Sequence, residues 1–134
     1  MVADRFLAVA TAILFSFAVQ APAQTSLVPG NVKELARADL SGAPDMEVIT
    51  SRIEWKPGES VSRHIHPGIE TGVVLQGAMI QPPGKEPVMF PTGAPLMNLR
   101  GVAHGGFAVV GDTSLILLTV HIVDKGKPVY QPPN

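Results

Sequence analysis

The chain has 134 residues, 46% of them apolar and 16% charged, with a formal net charge of −1 and no cysteine. This composition gives one domain able to bury a core and excludes a disordered chain. The ten Lys and Arg residues are scattered, which excludes a phosphate-neutralising nucleic-acid surface and a polybasic membrane patch. The lack of cysteine excludes disulfides, thiolate metal sites and cysteine nucleophiles.

At the amino terminus, Phe6 to Val19 form an uninterrupted weakly polar to apolar run behind Arg5. At about 1.5 Å per residue the run would extend about 21 Å, short of the roughly 30 Å of a bilayer core. Ala21-Pro22-Ala23 follows as a small-x-small cleavage pattern. Residues 1–23 therefore read as a cleaved signal peptide, and the mature protein as exported, periplasmic or secreted, with no membrane span. Asp4 offsets Arg5, so an uncleaved anchor is the alternative.

Residues 24–134 hold all 13 glycines and all but one of the 13 prolines. That density interrupts helices and suits short strands joined by tight turns. Val32 to Leu40 is a short helix or an edge strand. Strand-like runs follow, each bounded by turn residues: Met46 to Trp55, Val61 to His66, Thr71 to Gln76, Ala78 to Gln81, Pro87 to Phe90, Leu96 to Leu99, Gly106 to Val110 and Ser114 to Val123. Their rhythm predicts an all-β sandwich or barrel. Met79, Phe90, Met97 and Phe107 read as core, and Trp55 as a packed anchor for the Lys56-Pro57-Gly58 turn. The proline-rich tail from Pro128 reads as extended and loosely held.

Three of the four histidines fall near one acidic residue. His64 and His66 are two apart on an expected strand, so both leave the same face. Pro67-Gly68 turns the chain, Glu70 opens the returning strand, and His104 arrives after the Gly101-Val102-Ala103 turn. Imidazole and carboxylate together suit a borderline or hard divalent ion. His121, on the last long strand, reads as a structural histidine. Arg52 and Gln76 read as solvated strand residues rather than substrate donors.

The spacing Gly58, five residues, His64-Ile65-His66, three residues, Glu70, six residues, Gly77 resembles the first cupin motif. Gly93, five residues, Leu99, one residue, Gly101, two residues, His104 resembles the second. Two positions depart from the family pattern: Leu99 stands where Pro is usual, and Ala108 where Asn is usual. The resemblance covers most of residues 35–128 and implies a double-stranded β-helix (a jelly roll), often homodimeric. It further implies one divalent ion, Fe, Mn, Ni or Zn, on His64, His66, Glu70 and His104. Single-domain bacterial cupins, including the quercetin-dioxygenase-like kind, are similar to this chain. Cupins with this ligand set include dioxygenases, isomerases and decarboxylases. The expected activity is dioxygenase-like turnover of a small organic molecule, or else non-catalytic binding of a small ligand or metal. Small residues in phase with the ligands, Ser62, Gly72, Gly106 and Ala108, either leave a cavity over the metal or relieve crowding.

Overall fold

The computed structural model describes residues 31–133; the expected signal segment lies outside them. Nine strands follow in chain order: β1 (Asn31–Asp39), β2 (Met46–Trp55), β3 (Ser60–Val61), β4 (Gly68–Gln76), β5 (Ala78–Gln81), β6 (Val88–Phe90), β7 (Pro95–Asn98), β8 (Phe107–Val110) and β9 (Leu115–Asp124). They build two antiparallel sheets, ordered β1-β2-β9-β4-β7 and β3-β8-β5-β6. No helix occurs among the described residues. The segment from Val32 is the edge strand of its two readings, paired along β2 with a bulge between Glu34 and Ala36.

β2 and β9 pair over their whole lengths, and each alternates strictly between buried and half-buried positions. The period of two sends every second side chain into the interior. The inward residues change character along each strand. On β9, Leu115 and Leu117 give way to Thr119 and His121; on β2, Trp55 and Ile53 give way to Ser51 and, past Ile49, Glu47. One end of the interior is therefore an apolar cluster of Ile53, Trp55, Val61, Val74, Ala78, Val109, Leu115 and Leu117. Burying each of its larger aliphatic side chains contributes about 1.5–3 kcal/mol. The other end carries the buried polar groups and the histidines, interspersed with Ile49, Ile65 and Val123.

Three expectations change. Strand pairing around Val61 to His66 stops at Val61, because the chain crosses there from one sheet to the other. His64 keeps only an isolated bridge to His104, and Ile65 one to Gln131. Met97 is 67% exposed, since Leu96 and Asn98 take the inward side of β7. The tail is tied down by the Ile65 N–H donating to Gln131 O (2.9 Å) and the Gln131 N–H to Ile65 O (3.0 Å).

Candidate metal centre

Backbone pairing brings the predicted residues together. The His64 and His104 amides each donate to the other's carbonyl at 3.0 Å, so residues 40 apart in sequence lie side by side. The Gly101 amide donates to His66 O (3.1 Å), in a left-handed conformation (φ 70°) that favours glycine. Glu70 lies on β4 between two neighbours in register, Asn98 of β7 and His121 of β9.

The ring hydrogen bonds fix the chemistry of three imidazoles. His64 Nδ1 lies 2.7 Å from Ser62 O, His66 Nδ1 2.7 Å from Val129 O, and His104 Nδ1 3.0 Å from Val102 O. A carbonyl oxygen only accepts, so each Nδ1 carries the proton and donates. Each neutral ring then presents a bare lone pair at Nε2. Two of these face each other, with His66 Nε2 and His104 Nε2 3.0 Å apart. Glu70 Oε2 lies 3.2 Å from the first and 3.3 Å from the second. Lone pairs and a carboxylate so arranged repel unless a cation stands among them.

The spacing suits a metal ion. Donors about 2.0–2.2 Å from one ion, at octahedral or tetrahedral angles, lie about 2.8–3.6 Å apart. Metal-bound histidines commonly donate the second ring nitrogen to a carbonyl, as all three do here. Donor atoms of His64, His66 and His104 lie within 4.8 Å of one another, as do those of His66, Glu70 and His121. His66 belongs to both groups, and the Glu70–His104 contact joins them.

Electrostatics follow from burial and proximity. Burial works to raise the Glu70 carboxyl, but the facing imidazoles of His104, His121 and His66 hold it well below the usual carboxylate range. Burial pushes the His64 imidazole down to about 4, keeping it neutral and ready to ligate. His104 is lowered by burial and raised by Glu70, with a net upward shift. Without a metal, a proton on His104 is the cation that reconciles the cluster. Asn98 Nδ2 donates to Glu70 Oε2 at 2.7 Å and orients the carboxylate.

Beside these donors lies a cavity of about 170 Å³, with His64, Glu70, Asn98, His104, Trp55 and Tyr130 in its wall. The remaining lining is largely apolar, including Ile53, Phe90, Leu96, Phe107 and Leu117. Phe90 and Phe107 thus serve both core and cavity. None of the four in-phase small residues lines it. A Cβ at Gly72 would run into the Leu118 carbonyl oxygen, so this glycine permits close approach of β4 to β9. Gly106 takes a positive φ of 80°.

Asn98, His121 and Tyr130 join the predicted residues. His121 is 1% exposed, with its Nε2 3.4 Å from Glu70 Oε1 and neither ring nitrogen in a hydrogen bond among the described residues. Its place on a long apolar strand reads as structural, and the sequence gives no sign of the glutamate opposite. Asn98 follows from pairing β7 with β4 in register, and Tyr130 has no periodic signal in a proline-rich tail. Arg52 pairs with Glu54 (2.9 Å) and Gln76 donates to Ser114 O (2.8 Å), both away from the cavity.

No protein-family profile and no curated protein sequence matches the chain. Solved structures do. One is an uncharacterized conserved protein with a double-stranded β-helix domain from Klebsiella pneumoniae, at 17% identity, 73% coverage of this chain, 80% of that chain and TM-score 0.51. Another is the polyketide cyclase RemF from Streptomyces resistomycificus, at 26% identity, 77% and 73% coverage and TM-score 0.50. The DMSP lyase DddQ from Ruegeria pomeroyi matches at 20% identity and TM-score 0.48, over 64% of this chain and 43% of that one. The chain thus spans less than half of the lyase. As in the Klebsiella protein, the fold is a double-stranded β-helix. Its His and Glu side chains form a group able to hold a metal ion.

Proposed function

We propose that the protein is a metal-dependent cupin enzyme of the cell envelope, acting on a small organic molecule at one divalent ion held by His64, His66, Glu70 and His104. The observation that carries this reading is the common tautomer: three imidazoles donate Nδ1–H to backbone carbonyls, and two of their Nε2 atoms lie 3.0 Å apart beside a carboxylate. Three nitrogens and one oxygen suit Fe, Mn, Ni or Zn. When bound, such an ion supplies Lewis-acid polarisation of a substrate oxygen and, if redox-active, a place for dioxygen. The chain's own residues hold and orient the donors, while the apolar wall excludes water from an organic substrate. The likeness to a polyketide cyclase supports an organic substrate. A cavity of about 170 Å³ favours a compact one.

Metal content measured alongside oxygen uptake, with a panel of phenols and diketones, tests the dioxygenase-like form of the proposal. Tightly held zinc with no turnover of any substrate argues against it. One observation favours a second reading, a non-catalytic ligand-binding protein. Among the described residues, the cavity wall contains no carboxylate besides Glu70 and no lysine. Thermal-shift screening separates the two, since binding without turnover supports the second. Export and homodimer formation belong to the same proposal; fractionation and light scattering test them.

A further inference from the structure

The carboxy-terminal tail is built into the metal centre. Paired backbone bonds between Ile65 and Gln131 lay it across the segment that carries both first-motif histidines. Val129 O receives the His66 Nδ1 proton. Between these anchors the Tyr130 ring packs edge-on against His64, His66 and His121, with centroids 5.2, 5.3 and 5.7 Å away. Tyr130 lines the cavity beside the donors and also a second one of about 230 Å³ shared with His121 and Arg37. Its hydroxyl oxygen is buried and makes no hydrogen bond among the described residues.

A buried phenol without a partner is costly, and a tyrosine packed inside normally finds one for its O–H. A phenylalanine would supply the same packing against the histidines without that cost. Among the described residues the Tyr130 hydroxyl has no partner, and the cavity beside the metal donors, which Tyr130 lines, is space from which an occupant would supply the acceptor. Trp55, another cavity residue, also has a buried N–H without a partner among the described residues.

We infer that Tyr130 is a ligand-positioning residue, whose phenol donates a hydrogen bond to an oxygen or nitrogen acceptor on an anionic small molecule bound beside the metal. This inference rests on the metal reading above and adds the class of ligand: a compact anion or enolate with an acceptor directed at the tail. The tail then defines the occupant as well as holding His66.

The test uses the full chain loaded with cobalt(II), whose visible absorption reports ligand exchange, and azide as the anionic probe. Tyr130→Phe keeps the ring and removes only the hydroxyl. The expected result is unchanged cobalt stoichiometry and a melting temperature no lower than that of wild type, with azide bound about tenfold more weakly or worse, as for loss of a hydrogen bond to a charged group. Equal azide affinity in the two proteins, with cobalt loading intact, overturns the role of Tyr130 and leaves the metal reading standing. Cobalt-loaded wild type that ignores azide also overturns it, because no open position then faces the tail. Failure of wild type to bind cobalt at all overturns the metal reading, and this inference with it.

Discussion

Replacing Glu70 by glutamine separates the ligand role of this residue from its structural one. The carboxylate accepts from Asn98 Nδ2 at 2.7 Å and lies 3.2 and 3.3 Å from His66 Nε2 and His104 Nε2. All three partners share Oε2, so a glutamine that keeps its oxygen there retains the Asn98 bond and places its amide nitrogen at the Oε1 position, facing His121 Nε2. The metal-free protein should therefore lose no more than about 1 kcal/mol, the net worth of a typical hydrogen bond. Metal binding is different, because one anionic donor of four is lost. A loss of at least about 100-fold in affinity corresponds to about 2.7 kcal/mol. For a domain of this size each kcal/mol moves the melting temperature by about 4–8 °C. Saturating zinc or cobalt should thus raise the melting temperature of Glu70→Gln by roughly 10–20 °C less than that of wild type at equal metal concentration. Differential scanning fluorimetry with and without metal measures both quantities. A variant with the full wild-type metal shift would refute the ligand role.

Asn98→Ala should keep the fold but weaken metal binding about 10–100-fold, as expected when the partner of a ligating carboxylate is removed; competition with a chelating dye measures it. Lowering the pH should release metal below about 6, since the imidazoles must be neutral to ligate, and dialysis with elemental analysis checks this. Full retention at pH 4 contradicts the three-histidine assignment. In the metal-free protein, the lowered His64 pKa means that the folded state binds fewer protons than the unfolded between about 4 and 6.5. His64 therefore costs stability as pH falls through that window, while the raised His104 works in the opposite sense. His64→Asn should remove the first contribution and shift the pH profile of melting toward greater relative acid tolerance. Leu115→Ala, at a position 0% exposed in the apolar end, should cost about 2–5 kcal/mol in urea unfolding.

The sequence was most informative where spacing and period carried the signal. Turn-bounded runs at Met46–Trp55 and Ser114–Val123 marked the strands that became β2 and β9, and glycine-bounded spacing drew His64, His66, Glu70 and His104 together. The Val61–His66 stretch misled because its alternation continues across a change of sheet, which only the pairing of β3 with β8 and β4 with β9 reveals. Met97 followed the same error in miniature, being apolar but out of phase with Leu96. His121 announced its burial but not its carboxylate partner, since the Glu70–His121 register depends on how β4 docks. The tail was illegible for a different reason. Prolines signalled a segment outside the regular strands, but it bends at Val129 and Tyr130, and its attachment comes from two backbone bonds to Ile65 and one ring nitrogen of His66, which leave no mark in composition.

X-ray absorption at the metal edge of zinc-loaded protein addresses the donor set most directly. The account predicts one ion per chain, three imidazoles at about 2.0–2.1 Å and a carboxylate oxygen at about 2.0–2.2 Å, with the imidazole signal reduced in His104→Ala. An ion coordinated without imidazole, or a wild-type spectrum unchanged by loss of His104, would contradict it.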